Sequence, residues 1–247
     1  MLMLVMTLAT RAALAADEAA PGFTMVDIWN HSGWLARGVI VMLIVMLLLS
    51  IVVFIERWWF FRAARRQSMI LAAQIVGPMK SGDIRGAVAM TRAEEFEKSY
   101  LAALLRSGLT ELDERFDKHG IHNAERALEK TAAEEMSKLR RGMTILATTG
   151  STAPFVGLFG TTFGVINAFQ GMATQGSGLA GISAGISEAL ITTGVGIGVA
   201  VIGVWFFNYF NQRTEKVGEE LNSAHADFMD WAEKLLLSRS EQRQAGK

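Results

Sequence analysis

The chain has 247 residues, with 24 basic and 24 acidic side chains, 51% hydrophobic residues, 24 Gly, 13 Met and no Cys. Zero net charge supplies no basic footprint for nucleic acid, and the lack of Cys excludes a disulfide framework, a thiol nucleophile, an iron–sulfur cluster and a cysteine zinc site. The charge is segregated, however: residues 142–212 carry one Asp, Glu, Lys or Arg, namely Glu188, and residues 38–55 carry none. Such runs belong to a membrane protein, because a soluble domain spreads its charges over its length.

In chain order, residues 1–16 read as a possible signal peptide. An apolar start precedes Ala13-Leu14-Ala15 and Ala16-Asp17, which have the form of a signal-peptidase site. Arg11 interrupts the apolar stretch, so a loose surface segment is the alternative. Residues 17–33 form a short connection. Residues 34–55 are long enough to cross a bilayer core of about 30 Å as a helix. Trp34 and the pair Trp58–Trp59 stand where interfacial aromatics belong. Only Ser50 is polar within residues 38–55, so this first span is expected to face lipid.

Residues 56–141 read as helices broken at Gly77-Pro78, at Lys80-Ser81-Gly82 and around Lys118-His119-Gly120, with Ser81 and Asn123 as caps. Leu128, Ala132, Met136, Leu139 and Met143 recur at helical steps, a stripe expected to run straight into the second span. That span is placed at residues 144–173, the third at 182–210, with a Gly-rich turn at 174–181. Trp205, Phe206, Phe207, Tyr209 and Phe210 form a second aromatic belt before Arg213. In the terminal helix, 211–247, Val217, Leu221, Ala224, Phe228, Trp231 and Leu235 alternate steps of four and three. This seam serves either self-assembly around a symmetry axis or packing on the chain's own cytoplasmic part.

Residues 56–141 hold 16 of the 24 Lys and Arg and the tail from Arg213 holds 6, while the connection between spans two and three holds none. By the positive-inside rule the middle segment and the tail are cytoplasmic, with the N-terminus and the 174–181 turn outside. No strand pattern stands out. The expected fold is an all-α membrane protein with three transmembrane helices, a periplasmic N-terminus and long helices extending into a helical cytoplasmic domain.

Glu188 is the residue that invites a chemical reading. An unpaired charge in the membrane costs from a few to more than about 10 kcal/mol, so such residues face protein or water and commonly mark an ion pathway. A desolvated carboxyl can avoid that cost by binding a proton, which makes it a proton carrier. A permanently protonated, hydrogen-bonded Glu, or one reaching outward to the interface, is the structural alternative. On the flank near Glu188, Gly185, Thr192, Gly196 and Gly203 are small enough to admit a neighbouring helix or water, and Gly194 with Gly198 makes a second small-xxx-small pair. This glycine pattern reads first as helix packing. The second span is rich in hydroxyl and amide side chains, including Thr148, Thr149, Thr161, Thr162, Asn167 and Gln170. Such groups commonly bond their own backbone carbonyls one turn back. Pro154 removes one backbone donor, and a kink is expected there.

The four His lie outside the spans without ligands at metal spacing, so no metal or other cofactor is expected. No phosphate loop or nucleophile-elbow motif is present, so the chain reads as no enzyme and its energy source as an ion gradient.

The run Leu146-Ala-Thr-Thr-Gly-Ser-Thr-Ala-Pro-Phe-Val-Gly-Leu-Phe-Gly-Thr-Thr-Phe-Gly-Val-Ile-Asn-Ala-Phe169 resembles the second membrane helix of the ExbB/TolQ/MotA proton-channel family, and Gly185-Ile-Ser-Glu-Ala-Leu-Ile-Thr-Thr193 resembles the third. The resemblance extends from about residue 25 into the tail. It implies a homopentamer in the bacterial inner membrane whose second and third helices line a central pore. It also implies a dimeric, single-span, ExbD-like or TolR-like partner in that pore and a TonB-like protein downstream. Proton flow through such an assembly drives movement of one component against the other. By motif position Glu188 matches the pore acid, Thr161 the polar residue of Gly-Thr-x-x-Gly, and Thr193 the threonine five residues beyond the acid. By helical geometry Thr192 lies nearer the Glu188 face, leaving open which hydroxyl serves the pathway. The family often has Trp where this chain has Phe163. The wording around Thr149–Pro154 and 167–169 favours the TonB-system branch, which energises outer-membrane import of siderophores, haem or cobalamin, over the Tol branch. Flagellar-stator members have four spans and a larger cytoplasmic loop.

Overall fold

The computed structural model of the protein describes residues 33–175 and 178–245. The expected signal peptide, nearly all of the segment 17–33 and the centre of the 174–181 turn lie outside the described residues. Those described form α1 (Trp34–Ser81), α2 (Ile84–Thr91), a 3-10 turn (Glu94–Phe96), α3 (Tyr100–Glu114), α4 (Lys118–Arg140), α5 (Met143–Gln175) and α6 (Gly178–Ala245), with no strand among them. Three stretches are long and apolar enough to cross a bilayer: Trp34–Ser81, Met143–Ala173 and Gly181–Glu241. The protein is an all-α, multi-pass membrane protein.

Its helix ends follow local chemistry, and several depart from expectation. Helix α1 continues through Gly77-Pro78 and stops three residues later, where Gly82 takes φ +69°. The missing donor of Pro78 is tolerated so near the helix end. Its carbonyl accepts from the Ser81 hydroxyl at 3.0 Å and the Asp83 N–H at 3.0 Å. Ser81 is thereby engaged, and Asp83 caps α2 by accepting from the Gly86 N–H at 2.9 Å. Likewise Asp117, in extended backbone, caps α4 through the Gly120 N–H at 2.8 Å, and Asn123 lies inside that helix. Ser99 caps α3 through the Ala102 N–H at 3.0 Å. The α4 stripe does not run straight into the second span: Gly142, at φ +78°, separates α4 from α5, a left-handed turn that a side chain resists.

The described residues fall into two compact units, one from residues 33–45, 152–175 and 178–199, the other from residues 46–151 and 200–245. In the second, apolar faces at helical spacing converge on one core. Leu104, Leu109 and Leu112 of α3 and Leu128 and Leu139 of α4 are buried together with Leu71 of α1. Each such side chain is worth about 1.5–3 kcal/mol when removed from water. Val217, Leu221 and Phe228 of the tail seam are buried in the same cluster, and the Trp231 indole N–H donates to the Met79 carbonyl at 2.8 Å. Of the two readings of that seam, packing on the chain's own helices is the one observed.

Within this unit the first span is less uniformly outward than expected. Leu48, Val52 and Ile55 are exposed, but Ser50 is fully buried, its hydroxyl 2.9 Å from the Met46 carbonyl and 3.2 Å from Thr149 Oγ1. Arg57 is buried as well, pairing with Glu56 and donating to the Lys138 carbonyl at 3.2 Å. A cation there complements the negative C-terminal end of α4. The second aromatic belt is also divided. Trp205 is exposed, whereas Phe206 stacks on Phe54 at 4.1 Å and Phe210 is fully buried against Phe61. These rings pack on α1 through the edge and face attractions of aromatic pairs.

Candidate functional site

The first unit holds Glu188, Thr161, Thr192 and Thr193. Its framework is a seam of small residues that draws α5 and α6 together. A methyl at Gly157 would lie 2.9 Å from the Thr192 carbonyl oxygen, and one at Gly196 2.7 Å from the Ala153 carbonyl oxygen. Gly164 faces Ala189, and Gly185 faces Ala168, at comparably short range. Small residues at steps of three and four permit this backbone approach, and dispersion across it holds spanning helices together where the hydrophobic effect is absent.

Gly185 and Gly196 lie on this seam. Gly194 and Gly198 do not: both are exposed, and a methyl added at either would have nothing within 4 Å. They lie off the seam because its residues recur at 185, 189, 192 and 196, and positions two further on turn by about 200°. Helix α5 continues through Pro154, which is half-buried. The partner glycines of α5, Gly157, Gly160 and Gly164, are not among the expected packing positions, although their steps of three and four carry the same signal.

The hydroxyls separate into two roles. Thr192 is fully buried against Gly160 and donates to its own helix at the Ala189 carbonyl, 2.7 Å away. Thr193 reaches across the seam and donates to Thr161 Oγ1 at 3.3 Å, while Thr161 donates to the Leu158 carbonyl at 2.8 Å. Of the two neighbouring threonines, Thr193 is the one joined to Thr161. Thr162 bonds the Leu158 carbonyl at 2.9 Å, the local pattern expected of hydroxyls in a spanning helix.

Glu188 is half-buried and makes no hydrogen bond or ion pair among the described residues. It is not joined to the threonine bridge. At about 100° per residue it lies about 140° around α6 from Thr193. The arrangement is a close helix pair bridged by hydroxyls, with one carboxyl beside it whose solvation is left to something outside the pair. Among the described residues no group of three His, Cys, Asp or Glu could hold a metal ion.

Fold and site together define a multi-pass helical membrane protein with a single acid set in an otherwise uncharged pair of spans. Residues 96–223, just over half of the chain, match the model of the MotA/TolQ/ExbB proton channel family, and the chain belongs to that family. The Tol-Pal system protein TolQ of Pseudomonas aeruginosa is 45% identical over 91 residues, covering 36% of this chain and 39% of its own length. The biopolymer transport protein ExbB of Xanthomonas campestris pv. campestris is 40% identical over 108 residues, 43% of each chain. That of Salmonella typhimurium is 39% identical over 114 residues, 46% of this chain and 44% of its own. The chain thus spans less than half the length of the curated relatives it matches.

Proposed function

We propose that this protein is a proton-driven motor subunit of the bacterial inner membrane. With an ExbD-like single-span partner, it would couple the proton motive force to TonB-dependent import of siderophores, haem or cobalamin across the outer membrane. The observation that carries the reading is Glu188, the one charged side chain of residues 142–212, half-buried and without a partner among the described residues, in a member of a proton channel family. In this reading Glu188 carries the proton, and each charge moved across the membrane yields about 2.3 kcal/mol per 100 mV. Thr193 and Thr161 are the polar groups assigned to the same pathway, and Thr192 is assigned to helix packing. The functional unit in this reading is a homopentamer around a central pore that holds an ExbD-like dimer and acts on a TonB-like protein. The N-terminus and the 174–181 turn are periplasmic. No catalytic chemistry is assigned to the chain.

Glu188→Gln tests this, because it keeps shape and hydrogen bonding but removes the titrating proton. In a strain with this variant as its only copy, iron-limited growth on a siderophore or haem is expected to stop while a native gel shows the assembled complex. Growth with an intact complex would instead favour a scaffold that holds a partner helix with no proton role. The 45% identity to a TolQ supports a second reading, a subunit of the Tol-Pal envelope-integrity system. In that case Glu188→Gln leaves iron uptake intact and sensitises cells to deoxycholate.

A further inference from the structure

A cleft of about 520 Å³ in the second unit is framed by Arg62, Arg65 and Arg66 of α1 and Arg213 of α6. Among the described residues none of the four takes part in a salt bridge. Four guanidinium groups around one concavity without a carboxylate repel each other unless an anion joins them. One wall is aromatic and ordered: the Arg213 guanidinium lies 4.6 Å over the Tyr209 ring, and Tyr209 stacks on Trp58 at 5.7 Å. Arg213 is thus held in place before any ligand arrives.

The position of the cleft indicates what that anion is. On α1, Leu48, Ile55, Trp58, Arg62 and Arg66 follow one another at helical steps along one side, and the first three are exposed apolar residues. Arg62 lies seven residues beyond Ile55, about 10 Å along the helix at 1.5 Å per residue, so its long side chain reaches back into a headgroup layer about 5–7.5 Å deep. We propose that the cleft binds the phosphate of an anionic phospholipid at the basic side of the membrane, with an acyl chain lying along the apolar side of α1. Guanidinium forks suit phosphate oxygens, and Trp58 supplies the amphipathic ring of an interfacial anchor. This site requires only that the helices span a membrane, so it stands apart from the role of Glu188.

The full chain in its native assembly, purified in mild detergent, is titrated with palmitoyl-oleoyl phosphatidylglycerol or phosphatidylcholine, and bound lipid is counted by native mass spectrometry. Phosphatidylglycerol is expected to bind in preference. Arg62→Gln, Arg66→Gln and Arg213→Gln should each weaken it by about fivefold, whereas Arg92→Gln and Arg106→Gln, outside the cleft, should leave it unchanged. Arg213→Lys keeps the charge and is expected to retain binding, which separates lost charge from a disturbed fold. Glycerol 3-phosphate binding as tightly as the lipid would assign the cleft to a soluble phosphate compound and overturn the proposal. Equal losses at Arg92 and Arg106, or no loss from the cleft variants, would overturn it too.

Discussion

At the scale of single residues, Gly196 and Gly194 are two positions apart and differ in what surrounds them. A methyl at 196 meets the Ala153 carbonyl oxygen and the Gly157 Cα, neither of which can withdraw without parting the helices. Gly196→Ala is expected to destabilise the protein by about 1–3 kcal/mol, read as a lowered melting temperature in detergent. Gly194→Ala meets nothing and should melt at or slightly above the parent temperature, since alanine is the better helix former. Glu188 was legible in the sequence because burying a charge in a membrane is costly enough to stand out against any background. That Thr193 and not Thr192 bonds across to Thr161 was not, because position on one helix says nothing of what the facing helix offers.

Among the helices, the turns and caps are sensitive points as well. Gly142→Ala forces a left-handed residue to carry a methyl 3.3 Å from Val53, and should cost about 1–2 kcal/mol. Ser99→Ala removes the α3 cap and the 2.9 Å bond between the Ser68 and Ser99 hydroxyls, and should cost about 1–2 kcal/mol. Both are checked by thermal unfolding followed by circular dichroism. Periodicity revealed the buried stripes of α4 and α6, because apolar spacing reports directly which face meets a core. It misplaced caps wherever two capping residues compete. Asp117 wins over Asn123 because its own backbone is extended, and Asp83 over Ser81 because that hydroxyl is held by the Pro78 carbonyl.

For the whole molecule, a bond from the buried Tyr100 hydroxyl to the exposed Glu220 carboxylate joins α3 to α6 at the edge of the second unit's core. Burial, then this bond, raises Tyr100 above the ordinary tyrosine range. The folded state therefore keeps a proton that the unfolded chain releases near pH 10. The stability linked to it is complete below that pH and is lost as pH rises beyond it. Tyr100→Phe should lower stability by about 1 kcal/mol near neutrality. Its melting temperature should then decline less steeply than the parent's above pH 10, and parallel declines would show that the bond contributes nothing. Class and spans were legible from the distribution of charge alone. The packing of the tail on its own chain was not, since a heptad seam looks the same whichever surface it meets.

Where Gly157 and Gly196 face each other, backbone lies against backbone with no side chain between. Helices separated by side chains can exchange one set of rotamers for another and slip or roll by degrees. Two bare backbones have nothing to rearrange, so a small rotation of either about its axis brings bulkier neighbours into collision. Over this stretch α5 and α6 meet backbone to backbone, a contact suited to turning the two helices as one piece.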